Sequence, residues 1–524
     1  MVRGARRAVV VGGGQNGLSA GITLAERGWS VTVCEAADVL GGAVKTAELT
    51  LPGFRHDVFS AVYPGAVASP VFARWPLARH GLRWVHPPVA MAHPLDDGTA
   101  RILSQSVPET VDSLERGSPG DGRRWAEFVR PYLRHFGAVR HVMLGGFPPI
   151  RGGVKLVAGL KYEGTLDFVR TLLMPAAGLA GELFDSDASA AWLYGSALHG
   201  DVGPNGSGSA IAGAYLNWMG HMEGWPSPEG GADRLITALA GHFDSLGGRV
   251  LTGARVDRVL VEGKRAVGVQ VEGGELLPAD AVVCDLTPGG VARIAGHALP
   301  PATLRRYELF RPGPGTVKVD WALDGEVPWA APEARAAGTV HVGGGAKEIA
   351  RAVAEVELGE WPERPFLLTG SQTVADSTRA PEGKHTAWAY THTPGLGTPG
   401  EVEAHVERME AQMERFAPGF GARVLGRHVQ SPADIERHNP NLKAGDVGAG
   451  SYSLDQVVFR PVPKLSPYRT PIANLYIGSA SAFPGGAVHG VPGNAAARAC
   501  HADARVRRYS PSASRRAGTA PTRP

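Results

Sequence analysis

Cysteine is scarce in this 524-residue chain: the three, Cys34, Cys284 and Cys500, stand far apart. That spacing excludes a disulfide framework, CxxC redox chemistry and a thiolate zinc site, and a reducing compartment is the simplest fit. An excess of charge of one sign is also missing. Fifty-three basic residues against 50 acidic ones leave a net charge of +3, too small a footprint to mark nucleic acid as a partner. Only nine of the basic residues are lysine, a bias that fits a GC-rich bacterial genome. No apolar run approaches the length of a membrane-spanning helix. The apolar start, Ala8 to Val11, is too short for a secretory leader, so a cytoplasmic location is expected. HExxH and short histidine pairs of ligand spacing are absent, so no metal site is expected. No period of 20 to 50 residues repeats, which argues against a solenoid.

Glycine is what the chain has in plenty. Its 71 glycines and 41 prolines make about a fifth of the residues without collagen periodicity, the composition of a globular protein rich in turns and close backbone approaches. The length allows two to four domains.

The opening reads strand, glycine turn, helix, strand. Ala8-Val9-Val10-Val11 suits a strand buried on both faces. It runs into Gly12-x-Gly14-x-x-Gly17, after which Leu18, Ile22 and Ala25 recur at helical spacing until Gly28. Val31 to Glu35 forms the next strand. A glycine fingerprint alone is weak, but this one follows a buried strand, opens a helix and is followed by Glu35 at the end of the second strand. Gly12 permits the turn, Gly14 leaves room for a pyrophosphate and Gly17 lets helix and sheet approach. The helix N-terminus offers N–H groups to phosphates, and Glu35 suits a ribose diol. Gly343-Gly344-Gly345 lacks the third glycine and a βαβ frame, so one dinucleotide site is the working count.

Two further stretches carry the α/β rhythm. Leu235, Ile236, Leu239 and Phe243 share a helical face, Val267 to Val271 alternates, and Ala281 to Cys284 is another buried strand. Near the end Leu475-Tyr476-Ile477 runs through Gly478 into Pro484-Gly485-Gly486, reading again as strand, glycine loop and helix start. Residues 1–75, 225–300 and 440–505 are therefore expected to form one discontinuous nucleotide-binding domain. Residues 76–224 and 301–439 form an inserted mixed α+β substrate domain, with a strand from Thr316 to Trp321 and a polar helix from Glu401 to Phe416. Residues 506–524 read as a disordered tail.

At these residues the chain resembles the phytoene-desaturase-like branch of the FAD-dependent amine-oxidase superfamily. The fingerprint continues into Leu40-Gly41-Gly42 and Pro52-Gly53-Phe54; Gly230 to Leu235 and Val256-Asp257-Arg258-Val259 are similar to a second FAD segment. Leu454 to Pro463, Tyr468 to Pro471 and the closing run from Leu475 to Gly486 complete the likeness. It implies a Rossmann-like α/β domain of the glutathione-reductase type with FAD as cofactor. By that resemblance Gly12, Gly14 and Gly17 hold the pyrophosphate, Glu35 the adenosine ribose, Gly41 and Gly42 the diphosphate approach, and Val256 the adenine. Gly478, Gly485, Gly486, Val491 and Asn494 follow the isoalloxazine. Many relatives carry Arg after the double glycine; here Ala43 stands there, with Lys45 two residues on.

The candidates for acid-base help are His56, Tyr63 and His489, with Asp57 read equally as a turn cap. His489 is either a proton acceptor or a packing residue. The leading expectation is an FAD-dependent oxidoreductase that desaturates an apolar small molecule by hydride transfer to flavin N5, in isoprenoid or bacterial secondary metabolism. An amine or alcohol oxidase or a reduced-flavin isomerase is the alternative on the same scaffold, and a non-catalytic nucleotide-binding scaffold the alternative of another class. Basic and apolar residues interleave from Arg130 to Lys161. Such a stretch can lie on a membrane; the preferred reading is a helix lining the substrate pocket with its charged face in water.

Overall fold

The structure, a computed structural model, describes residues 5–509. Its centre is a five-stranded parallel sheet in the order Leu475–Ile477, Ala281–Cys284, Arg7–Val11, Ser30–Cys34, Arg249–Leu251. Three separated stretches of chain supply these strands, all short, and two inner ones, Arg7–Val11 and Ala281–Cys284, are almost wholly apolar because both faces of the sheet are covered. The first helix, Gln15–Ala25, is buried along nearly its whole length. Gly17 permits this approach: a Cβ there would lie 1.9 Å from the Gly12 carbonyl oxygen. The last helix, Val491–Tyr509, packs on the first. It runs through 506–509, where the sequence predicts the start of a disordered tail; the rest of that expected tail, 510–524, lies outside the described residues.

A three-stranded antiparallel sheet (Val256–Glu262, Arg265–Val271, Leu276–Pro278) follows the last helix-strand unit of the middle stretch. The second large sheet has seven strands, in the order Val424–Gln430, Gly315–Leu323, His385–Thr393, Leu367–Gly370, Ala337–Val342, Val89–Pro94, Ala100–Leu103. Gly315–Leu323 is buried at every position, and the helix Pro399–Phe416, opened by a Thr398/Glu401 capping box, lays Val402, Val406, Met409 and Met413 against it.

The helices from Val107 to Glu223 pack a cluster of aromatics together. Tyr132 stacks on Trp218 at 4.3 Å between ring centroids, and Trp125 meets Trp192 edge-on at 5.0 Å. This helical block shares one apolar core with the parallel sheet, whereas the seven-stranded sheet has its own. A buried ionic joint ties the parts. Asp57 pairs with Arg379 at 2.6 Å and accepts from Thr46 Oγ1 and the Ala232 N–H at 2.8 and 2.9 Å. Asp57 thus fixes a domain joint rather than a local turn.

Candidate functional site

The carboxyl ends of Arg7–Val11, Ser30–Cys34 and Ala281–Cys284 open into one continuous cavity of about 1450 Å³, the side on which open α/β sheets bind ligands. It exceeds the roughly 300–1,000 Å³ of an ordinary small-ligand site, leaving room for a dinucleotide and a second molecule.

At one pole Glu35 stands at its strand end, with Oε2 accepting from the Gly13 N–H at 2.7 Å and Oε1 from the Ala37 N–H at 2.9 Å. Two backbone donors thus aim a carboxylate along the wall, beside Val256 and Lys45. Next come Gly12, Gly14, Gln15 and Asn16, faced by Gly41 and Gly42. Gly14 precedes the first helix with no side-chain cap, and the buried Asn16 Oδ1 has no partner. An uncapped helix start, a glycine-lined crevice and an orphaned polar atom fit a bound pyrophosphate. These residues therefore fit FAD, and Glu35 lines the pole where the resemblance puts the ribose.

Asp285, one residue past the strand Ala281–Cys284, accepts from the Gly17 N–H at 2.9 Å, and a Cβ at Gly14 would come 3.0 Å from its Oδ2. Burial pushes its carboxyl up to about 7; the Gly17 N–H pulls down and Glu35 adds to the rise. The phosphate turn therefore holds an acid poised near neutrality.

At the opposite pole Gly486 and His489 of the closing loop line the wall. His489 Nδ1 accepts from the Val491 N–H at 3.2 Å. Burial lowers its imidazole to about 4, against a backbone hydrogen bond at Gly486. The ring is neutral at ordinary pH, an acceptor held by the backbone. Behind this loop lies Arg460, buried between the rings of Phe310 and Tyr452 and donating to the carbonyls of Ala449 and Gly450. Asp446 receives the N–H groups of Gly313, Gly448 and Gly450 at 2.6–2.8 Å. Asp201 has no such backbone clamp. It lies 3.0 Å from His392 Nε2, and a Cβ at Gly448 would meet its Oδ2 at 2.9 Å.

The seven-stranded sheet closes the cavity with Thr316, Lys318, Trp388 and Tyr390. Lys318 and Tyr390 are cross-strand partners, and the buried Lys318 donates to Asp320. Burial raises the Asp320 carboxyl to about 6, opposed by Lys318. Beyond Tyr63 the cavity turns apolar, walled by Val142, Met143, Leu144, Ile211, Leu216 and Met219.

Of the residues expected from sequence, Gly12, Gly14, Glu35, Gly41, Gly42, Lys45, Tyr63, Val256, Gly486 and His489 line this one cavity. Tyr63 gives its O–H to the Ser60 carbonyl at 2.7 Å, and burial raises its phenol far above the usual range. It is a neutral wall, not a base. The others stand back. His56 sits behind the sheet, 2.8 Å from Thr50 Oγ1 and 3.6 Å from Asp320, its imidazole lowered to about 3 by burial and then by Lys318. It belongs to a buried polar chain ending at Lys318, so it does not meet a substrate. Gly17 faces the Gly12 carbonyl and gives its N–H to Asp285. Gly478 faces Ala496 and Gly493, and Gly485 faces Arg460. Val491 is buried in the last helix, and Asn494 donates to Thr23 Oγ1 at 2.7 Å in the contact between first and last helices. These four residues shape the closing loop from behind.

Lys318, Asp285 and Asp201 were not singled out from sequence. Lys318 and Asp320 left a signal, two charges at i and i+2 inside the apolar run Thr316 to Trp321. Asp285 left one too, an acid directly after a buried strand. Asp201 left none, because its neighbours in the site come from residues 392 and 448–452.

Comparison with known proteins decides the family. Residues 17–501 match the flavin containing amine oxidoreductases. The chain belongs to that family. A rat protein, pyridine nucleotide-disulfide oxidoreductase domain-containing protein 2 (Rattus norvegicus), is 28% identical over 94% of this chain and 92% of its own length. The neurosporene-forming phytoene desaturase of Cereibacter sphaeroides is 26% identical over 94% of this chain and 93% of its own. In three dimensions the chain is similar to an oxidoreductase from Methanosarcina mazei, with a TM-score of 0.64 at 18% identity over 93% of this chain and 98% of that one. The protein is thus an FAD-dependent oxidoreductase of the phytoene-desaturase-like branch.

Proposed function

We propose that this flavoenzyme dehydrogenates a long apolar substrate of the isoprenoid class, introducing a carbon–carbon double bond. The observation that carries the reading is the composition of the cavity. A crevice fitted to a dinucleotide runs without interruption into a wing walled by aliphatic and aromatic side chains. Such a wing binds by burial of apolar area and offers few groups to orient a polar molecule. The desaturase among the relatives adds support, being named for an apolar polyene.

When bound, FAD supplies a hydride acceptor at N5. The chain's own residues do the rest. Val142, Leu144, Ile211 and Met219 hold the hydrocarbon and exclude water, and Trp388 and Tyr390 form a flat aromatic wall beside it. Loss of hydride from one carbon leaves a proton to be taken from the next. Asp201 is the carboxylate placed to receive it at the closing loop, with His392 at 3.0 Å to share the charge. His489 and Tyr63, neutral and backbone-bonded, shape the pocket. The adjacent Lys318 makes the same wall a poor host for an ammonium group, which disfavours the amine-oxidase alternative.

Anaerobic mixing of the holoprotein with an isoprenoid hydrocarbon whose isolated double bonds flank a saturated pair of carbons, presented in detergent, tests the reading. Bleaching of the flavin with one new double bond per flavin, conjugated with its neighbours, is the expected result. Asp201→Asn should slow bleaching by about 100-fold, within the usual range for a lost general base, with flavin content unchanged. Rapid bleaching by a primary amine, with hydrogen peroxide released on admitting oxygen and no reaction with hydrocarbons, would overturn it.

A further inference from the structure

The helix Ile150–Leu173 turns apolar side chains outward. Ile150, Val154 and Val157 are 68%, 66% and 52% exposed; beyond a break at Lys161 (φ 60°), Tyr162, Leu166, Val169 and Leu173 continue the stripe at 75%, 50%, 43% and 52%. Spacings of three to five residues keep each half on one face, while Gly152, Leu156, Phe168 and Thr171 face inward. A surface helix ordinarily buries its apolar stripe; this one is apolar inside and out. A contiguous exposed patch of this kind marks a contact with something apolar.

Charge narrows what that is. From Phe128 to Tyr162 the chain carries six Arg and Lys residues and not one Asp or Glu, in a protein whose charges otherwise nearly balance. Arg151, Lys155 and Lys161 stand exposed on the helix itself, and Arg130 and Arg134 on the helix Asp121–Arg134, two helices earlier. The helix is also a wall of the cavity: Leu172 and Leu173 line its apolar wing, with Phe147 and Pro149 doing so at the other end. Leu173 is at once on the outer stripe and on the cavity wall. No helix among the described residues is long and apolar enough to cross a membrane, so an attachment through this face lies along the surface.

We infer that the helix Ile150–Leu173 docks this protein on an anionic lipid bilayer, its outer stripe in the acyl boundary and its basic residues at the headgroups. The basic-apolar stretch noted from sequence does line the pocket, but the face it turns outward is apolar, with a flank that is basic up to Lys161 and carries the exposed Glu163 and Asp167 beyond it. Docking rests on exposure and charge alone. That a hydrocarbon passes from the bilayer past Leu173 into the wing rests in addition on the apolar-substrate reading.

Flotation of the full-length holoprotein with vesicles tests it. Phosphatidylcholine vesicles containing phosphatidylglycerol should carry the protein upward at low salt, and phosphatidylcholine alone should carry much less. Lys155→Glu should lower the bound fraction by about fivefold or more. The double variant Val157→Asp/Leu166→Asp should abolish flotation while the flavin spectrum and thermal midpoint stay unchanged. Failure to float with the anionic vesicles at low salt, or equal flotation of wild type and both variants, overturns the inference. So does a wild-type dimer in light scattering that Val157→Asp splits, which would give the stripe to a second copy of the chain. Flotation needs neither substrate nor turnover. A protein that floats but never bleaches with hydrocarbons would refute the proposed function and leave the docking in place.

Discussion

Replacing Asp285 by Asn should remove a pH dependence that this acid imposes on both folding and cofactor binding. In the folded protein the Asp285 carboxyl titrates at about 7 rather than 3.8. The folded chain therefore holds a proton that the unfolded chain has released between those values. Stability falls as pH rises through that window and is level above it. Three pKa units correspond to about 4 kcal/mol at most, and less in the apoprotein because the carboxyl, only half-buried, faces the hydrated cavity. A bound diphosphate would strip that water and bring further negative charge to the Gly12–Gly14 turn. If FAD binds only the protonated form, its Kd rises tenfold per pH unit above the pKa, or about thirtyfold between about pH 6 and pH 8.5. Asn keeps the acceptor for the Gly17 N–H and needs no proton. In Asp285→Asn the Kd, read by flavin fluorescence quenching, should move less than about twofold over the same range, and the thermal midpoint of the apoprotein should lose its slope between about pH 4 and 7. A wild-type Kd that changes by less than about threefold, with midpoints parallel in the two proteins, would refute the reasoning.

Asp57→Ala should cost about 3 kcal/mol by leaving the buried Arg379 without its 2.6 Å partner and with only Asp376, at 4.0 Å, beside it; an unchanged midpoint in chemical denaturation would show the joint to be inert. His489 stays neutral at and above pH 5, so His489→Gln should leave the shape of the pH profile of flavin reduction between about pH 5 and 8 unchanged, and a lost inflection near neutrality would contradict its burial. Ile211→Trp fills the apolar wing without touching the glycine crevice. It should raise KM for a long hydrocarbon at least about tenfold with flavin content intact, and equal KM values would move the substrate elsewhere.

The parallel sheet was readable because Ala8 to Val11, Ala281–Cys284 and Leu475–Ile477 are short, continuously apolar runs, each ending at a glycine or an acid. That pattern survives the insertion of some two hundred residues between Cys34 and Arg249. The helix Pro399–Phe416 and the strand Gly315–Leu323 left local signals too, the first a helical polar stretch and the second Val317, Val319 and Trp321 alternating with Lys318 and Asp320. Residues 506–509 read as tail by composition, yet they belong to the helix that ends at Tyr509.

The cavity divides along the same line. Its dinucleotide pole is built from residues 12–17 and 35–45, whose spacing alone dictates a tight turn and a helix start, so the phosphate side could be read from the chain. Its chemical pole could not. Asp201, His392 and Gly448 are brought together by strand pairing and loop closure across nearly 250 residues, and no local spacing encodes that meeting. The same holds for His56. Its motif reads as a polar turn near the cofactor, and only the buried strand carrying Lys318 and Asp320 shows it to be the hidden end of a polar chain. A substrate-facing carboxylate is therefore best sought where a cavity-lining acid lacks backbone donors. By that criterion Asp201 differs from both Asp446 and Glu35, each already clamped by N–H groups, and it is the wall carboxylate near the closing loop left able to accept a proton.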